Sequence, residues 1–253
     1  MEKIDIIKSI SERTGGDIYL GVVGAVRTGK STFIKKFIEN LVVPNIEDEY
    51  ERKRCLDEIP QTAQGKTIMT IEPKFVPSTA AKIKVEEFET NIKLVDCVGY
   101  VIPAAKGYED EMGEPRMVKT PWYDEDIPFV EAAEIGTEKV IRDHSTIGIV
   151  VTTDGSIGDI TRNNYIEAEN EVISELKEIG KPFIVLLNSA HPTLPETERL
   201  AEKLKEEHNV PVIPISAETM NEKDVYNILK EALYEFPVLN VKVDIPDWIG
   251  TLN

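Results

Sequence analysis

Gly24-Ala25-Val26-Arg27-Thr28-Gly29-Lys30-Ser31 is a complete G-x-x-x-x-G-K-S stretch, and its flanks decide the fold. Before it runs Asp17-Ile18-Tyr19-Leu20-Gly21-Val22-Val23, short, apolar and β-branched, which reads as a strand. After it, Thr32-Phe33-Ile34-Lys35-Lys36-Phe37-Ile38 carries apolar residues at helical spacing. Strand, glycine loop and helix in that order is what phosphate binding needs. Gly24 and Gly29 let the backbone curl and turn its N–H groups inward, and the new helix N-terminus adds positive potential. Ala25, Val26, Arg27 and Thr28 line the curl, and Thr32 extends it into the first helical turn. Lys30 can reach β- and γ-phosphates, and Ser31 can place a hydroxyl on Mg²⁺.

The 253 residues suffice for one large α/β domain or two small ones. Twenty-nine basic against 46 acidic residues give a net charge of −17, which disfavours a general nucleic-acid binder. No apolar run approaches a membrane span, and Met1-Glu2-Lys3-Ile4-Asp5 lacks the order of a secretory leader. Cys55 and Cys97 make no disulfide framework, so a reducing cytoplasm is the expected setting. His144, His191 and His208 show no metal-ligand spacing.

Periodicity predicts helices over 2–11, over 30 to about 40, and over 47–58, 129–144, 164–179, 195–208 and 222–236. Strands are predicted over 17–23, 81–88, 91–96, 147–152, 183–188 and 210–215. Turn-like Glu89-Thr90-Asn91 makes 81–96 an antiparallel hairpin. The later alternation of strand and helix means a mostly parallel sheet with helices on both faces, a three-layer P-loop α/β sandwich. Residues 100–128, rich in proline, glycine and acids, read as a long functional or disordered insertion. Val238 to Ile245 reads as one more strand or the start of a connection.

Asp96 closes the apolar run Ile92-Lys93-Leu94-Val95, at the carboxyl end of a core strand, where it can hold Mg²⁺ through water. Gly99, in Asp-x-x-Gly, can offer a backbone N–H to a γ-phosphate. Thr70 lies where nucleotide switch proteins place a threonine on Mg²⁺ and the γ-phosphate, and Thr67 is a second candidate. No glutamate follows Asp96, and Tyr100 stands where many small GTPases carry a water-orienting glutamine, so unaided turnover should be slow. Asn188-Ser189-Ala190-His191 occupies the place of the guanine reader Asn-Lys-x-Asp, with the asparagine kept and the lysine and aspartate replaced. Ser216, Ala217 and Glu218 occupy the place of Ser-Ala-Lys at the base pocket. The frame is that of a GTPase that has lost its guanine reader.

Taken with Gly65–Pro73, Lys106-Gly107-Tyr108-Glu109-Asp110, Thr120-Pro121-Trp122-Tyr123 and Glu231-Ala232-Leu233-Tyr234-Glu235-Phe236-Pro237, these motifs resemble the stage IV sporulation protein A family. These are the spore-coat morphogenetic ATPases of endospore-forming bacteria. The resemblance covers the family's N-terminal nucleotide-binding part, with residues 1–237 as the ATPase domain and 238–253 as the start of a connection to a middle domain. It implies a translation-factor-class GTPase fold converted to ATP and Mg²⁺, with Lys30, Thr70 and Asp96 catalytic and Ser31, Thr70 and Asp96 at the metal. It implies slow ATP hydrolysis that drives self-assembly into the basal layer of the spore coat. It further implies coat proteins and a small amphipathic membrane peptide as partners of regions outside this chain, no direct membrane contact by this part, and a mother-cell cytoplasmic location at the forespore surface. The family pattern carries adjacent threonines that sense the γ-phosphate; here Thr70 is followed by Ile71. A regulatory GTPase and a nucleotide-binding structural protein without turnover stay open beside the assembly ATPase.

Overall fold

The structure, a computed structural model, describes residues 1–60, 73–105, 114–119 and 123–237. Strands β1 (Asp17–Val23), β2 (Lys74–Val85), β3 (Phe88–Asp96), β4 (Met117–Val118), β5 (Ile127–Pro128), β6 (Ile147–Thr153), β7 (Phe183–Asn188) and β8 (Val212–Ile215) alternate with helices. These are α1 (Lys3–Arg13), α2 (Lys30–Phe37), α3 (Glu49–Asp57), α4 (Phe129–His144), α5 (Ile166–Ile179), α6 (Pro195–His208) and α7 (Glu222–Tyr234). Six strands form one sheet in the order β2-β3-β1-β6-β7-β8, with β4 and β5 pairing apart. β1 runs parallel to both β3 and β6, and β6, β7 and β8 are parallel in turn. Among the described residues, only β2 opposes its neighbour in this sheet.

The alternation of side chains in β1 explains the layers. Ile18, Leu20 and Val22 bury against α1, α2 and α7 through Ile7, Ile10, Phe33, Phe37, Val225 and Leu229. Val23 faces the other way, into a second core with Phe129 and Ile141 of α4 and Val172 and Leu176 of α5. The two apolar faces of a central parallel sheet demand such a double cover. Gly21 sets the close approach of the end of α4: a β-carbon there would stand 2.9 Å from Ser145 Cβ and 2.7 Å from Ile141 Cδ1, so a larger residue would displace that end of the helix. Pro214 is tolerated in β8 because that strand is an edge.

Several sequence expectations shift. The hairpin turns at Glu86-Glu87, not at Glu89–Asn91; Val85 pairs with Phe88, and Thr90 and Asn91 stay in the ladder opposite Ile83 and Lys82. These polar residues look turn-like because their partners are tertiary. Thr90 Oγ1 donates to Gly16 O at 2.9 Å and lies 3.0 Å from Ser11 Oγ, while Asn91 Nδ2 donates to Asp17 Oδ1 at 2.8 Å. The hairpin is also longer than 81–96, starting at Lys74, with a register shift between Val76 and Ala81 where Pro77 interrupts the ladder. The helix after the glycine loop continues through a π-turn (Ile38–Val42) and a 3-10 turn (Val43–Asn45), because Leu41 and Val42 stay buried. Asn164 belongs to a 3-10 turn before α5, and β8 starts at Val212 rather than 210. The 238–245 expectation lies outside the described residues.

The chain visits β3 on one side of β1 and then crosses to β6 on the other. The carboxyl end of β1 is therefore the switch point at which open α/β sheets bind ligands.

Candidate functional site

The glycine loop connects that end of β1 to α2. Gly24 takes φ +135 and Gly29 φ +94, left-handed conformations that favour glycine. Arg27 takes φ +65 as well, a strained choice for a side chain with a β-carbon. Its charge lies close enough to the buried Tyr165 hydroxyl to favour the phenolate slightly, although burial dominates and raises that phenol to about 12. The loop is anchored from β3's extension: Val26 N donates to Tyr100 O at 2.9 Å and Tyr100 N to Gly24 O at 3.2 Å. Inside the loop, Thr28 Oγ1 donates to Ala25 O at 3.0 Å.

Three groups converge here. Lys30, only 7% exposed, donates its ammonium to Ala25 O at 2.7 Å and to Gly24 O at 3.1 Å. Burial lowers its pKa to about 8, partly offset by the nearby Asp96 charge. Ser31 Oγ donates to Asp96 Oδ2 at 2.8 Å. Asp96 is buried, which raises its pKa, against the opposing pull of Lys30, the Ser31 hydrogen bond and Lys74. A cation and a carboxylate held together away from water, with loop N–H groups around them, suit a bound polyanion and its counter-cation.

The donor set fits a polyphosphate with a hard divalent cation. A β-carbon on Gly99 would stand 2.5 Å from Val26 N and 2.7 Å from Ala25 C, as well as 2.4 Å from Lys30 Nζ, so glycine here lets the chain after β3 lie directly against the glycine loop. Ser31 and Asp96 present the hydroxyl and carboxylate oxygens that a hard divalent cation takes. Thr32 sits half-buried in the first turn of α2. Thr70 and its rival Thr67 lie outside the described residues, as do Ile71 and the stretches 106–113 and 120–122.

On the other side of the loop, Asn188 Nδ2 donates to Thr28 O at 2.9 Å, and its Oδ1 accepts from Ala217 N at 2.9 Å. One side chain thereby ties the phosphate loop, the end of β7 and the Ser216–Glu218 loop together. Ala217 is buried, Ser216 half-buried and Glu218 exposed. His191 is exposed, its N–H donating to Ser189 Oγ at 2.9 Å. Tyr100 is turned away from the cradle: it is 2% exposed and its hydroxyl donates to a carboxylate oxygen of Glu175 on α5. Burial and this bond push the phenol pKa up.

Sequence reading missed the loop after β6. Asp154 Oδ1 accepts from Ser156 N at 2.9 Å and Ser156 Oγ at 2.5 Å, and Ala190 N donates to Ser156 Oγ at 2.8 Å. The loop is thus fixed to the Asn188–His191 segment. Its only sequence signal is position, at the carboxyl end of a core strand. Arg162, behind it, forms a bidentate pair with the buried Glu169 at 2.7 and 2.5 Å and also donates to Thr153 O.

Residues 1–237 match a family model described as stage IV sporulation protein A, ATPase domain. The chain is 65% identical over 254 residues to stage IV sporulation protein A of Bacillus anthracis and 64% identical over 254 residues to that of Bacillus subtilis (strain 168). Each alignment covers 100% of this chain and 51% of the relative. The protein of the same name from Clostridioides difficile (strain 630) is 51% identical over 250 residues, 98% of this chain and 51% of the relative. The chain therefore spans about half the length of the curated relatives it matches.

Proposed function

Because the chain belongs to the stage IV sporulation protein A family, matching its ATPase-domain model over residues 1–237, we propose that it is a sporulation ATPase whose slow hydrolysis of ATP to ADP and phosphate drives self-assembly of the basal layer of the spore coat. The observation that carries the ATPase reading is the convergence of Lys30, Ser31, Asp96 and Gly99 at the carboxyl ends of β1 and β3. ATP would supply the phosphoanhydride, and Mg²⁺ the Lewis-acid charge on its β- and γ-oxygens.

The residues of the chain take the rest. Val26 N–H is taken by Tyr100 O, so the backbone N–H groups from Arg27 to Ser31, with Thr32, would hold the phosphates, and Gly24, Ala25 and Val26 would shape the loop around them. Lys30 would place its ammonium on the β- and γ-oxygens. Ser31 and Asp96 would hold Mg²⁺, Thr70 is assigned to the metal and the γ-phosphate from its place in the sequence, and Gly99 would offer its N–H to the same phosphate. Asn188, Ser216, Ala217 and Glu218 wall the base. The sheet order with a single antiparallel edge strand supports a translation-factor-class, GTPase-like ancestry. The replacement of the guanine reader by Asn188-Ser189-Ala190-His191 supports conversion to ATP.

Residues 1–237 are read as one ATPase domain and 238–253 as the start of a connection to a middle domain. Polymerisation contacts, coat proteins and a small amphipathic membrane peptide belong to the whole protein in the mother-cell cytoplasm, at the forespore surface. No described helix is long and apolar enough to cross a membrane.

A nucleotide-binding structural protein without turnover is the second reading, and Tyr100 favours it, since its hydroxyl is committed to Glu175 rather than to a water. Single-turnover analysis of products from ATP and from GTP decides between them. ADP and phosphate from ATP in preference to GTP supports the ATPase; intact ATP at long times supports the structural binder; GDP as the main product supports a regulatory GTPase.

A further inference from the structure

On the ATP reading of this site, the triphosphate and the nucleoside would leave the glycine loop on opposite sides. Lys30, Ser31, Asp96 and Gly99 lie on the β3 side of β1, which is where a terminal phosphate and its metal would sit. The nucleoside then extends over the carboxyl ends of β6, β7 and β8, where Asn188 joins Thr28 to Ala217. A base on that side needs an apolar surface under its ring as well as partners at its edge. Ser189 cannot provide one. It is 0% exposed, it has no stem, and its hydroxyl accepts from His191 N at 2.9 Å while sitting 3.3 Å from Ser156 Oγ.

The loop after β6 offers that surface instead. Ile157 is 37% exposed, although large apolar side chains ordinarily bury more fully. Its Cδ1 lies 3.7 Å from where a β-carbon on Gly29 would stand, and Asn188 Nδ2 lies 2.2 Å from the same point. Ile157 and Asn188 therefore flank the same glycine of the phosphate loop. Its position is not loose: the residue before it, Ser156, is bonded to Asp154, to Ala190 N and to Ser189.

Resting on the ATP reading of this same site, we propose that Ile157 is the apolar wall on which the adenine ring lies, supplied from the β6 loop because Ser189 has no stem to offer. A branched aliphatic side chain packs against a purine face without reading its edge. Such a wall binds the nucleoside strongly but discriminates adenine from guanine only weakly. It also divides the labour of the site: Lys30, Ser31 and Asp96 grip phosphate and metal, while Ile157 acts on the nucleoside alone.

That division gives the test. Binding of ATP, ADP and inorganic tripolyphosphate, each with Mg²⁺, is measured on the wild-type chain and on the Ile157→Ala and Ile157→Leu variants. Thermal unfolding of each variant checks that a partly exposed position leaves the fold intact. Ile157→Ala should weaken ATP and ADP by about ten-fold, the scale of losing one apolar contact to a base, and leave tripolyphosphate within about two-fold. Ile157→Leu should restore most of the loss. Equal weakening of all three ligands would make Ile157 a support of the phosphate loop and overturn the proposal, as would unchanged ATP and ADP affinity. Wild-type chain that binds tripolyphosphate but gains nothing from the adenosine of ATP would overturn the ATP reading itself, and the proposal with it.

Discussion

Ser31 Oγ donates to Asp96 Oδ2 at 2.8 Å, joining the first turn of α2 to the last residue of β3 across 65 positions of sequence. The bond holds a hydroxyl oxygen beside a carboxylate oxygen, the donor types that a hard divalent cation takes. Ser31→Ala and Asp96→Asn should each weaken the Mg²⁺ dependence of ATP binding and turnover by about 10- to 100-fold, the range for groups that orient or hold a metal. A Mg²⁺ titration of turnover checks this, and an unshifted curve in both variants would remove the metal assignment.

Lys30→Ala should cost more than about 1.5 kcal/mol of ATP affinity, because a charge-assisted contact to two phosphates is lost. Gly99→Ala should weaken ATP binding as well, since its methyl would stand 2.5 Å from Val26 N and 2.7 Å from Ala25 C and displace the backbone of the loop. Calorimetric titration with ATP measures both. Wild-type affinity in Lys30→Ala would sink the phosphate site.

Thr70→Ala should slow hydrolysis or block its structural consequence while leaving ADP affinity nearly untouched, because its assigned contacts are to the γ-phosphate and Mg²⁺. Equal losses for ADP and ATP would make Thr70 structural. A defect confined to Thr67→Ala would move the role to that residue.

The chain should prefer ATP to GTP by about 10- to 100-fold, as expected for a site that lacks a guanine reader rather than one built to exclude guanine. The exposed His191 cannot offer the two carboxylate oxygens that guanine's N1–H and exocyclic amine require. Competition of unlabelled GTP against labelled ATP reads the ratio directly; equal or tighter GTP binding would favour the regulatory GTPase.

Glu175 should carry a pH-dependent cost. Burial first, then the neighbouring Glu171, Glu134 and Glu138, raise its carboxyl above the ordinary 4.5, and the Tyr100 hydrogen bond only partly opposes them. The folded chain thus keeps this proton to higher pH than the unfolded chain does. The carboxyl favours folding at acidic pH, and that contribution is lost as pH rises from the ordinary value through the raised one. Glu175→Gln keeps an acceptor for Tyr100 without the charge. At pH 7 it should raise Tm, with the gain fading toward pH 4. Thermal melts across that range are the measurement, and a destabilised variant at pH 7 would mean that the charge itself holds Tyr100.

What the sequence determined by itself was whatever rests on local pattern. Gly24 to Ser31 between an apolar strand and a helix, and Asp96 closing the next such strand, specify a phosphate site because the backbone geometry is set within a few residues. The alternation of periods after residue 129 likewise specified a parallel sheet with helices on both faces. The tertiary structure decided everything that depends on partners distant in sequence. Thr90 and Asn91 read as a turn, yet they stay in β3 because Gly16, Ser11 and Asp17 satisfy them from elsewhere. Tyr100 stands where a water-orienting residue would be read, but its ring is buried and its hydroxyl is bound 75 positions away on α5. Ile157 has no motif at all. It comes to lie beside the glycine loop because parallel strands end on the same edge of the sheet, bringing the β6 loop near residues whose proximity no local pattern records.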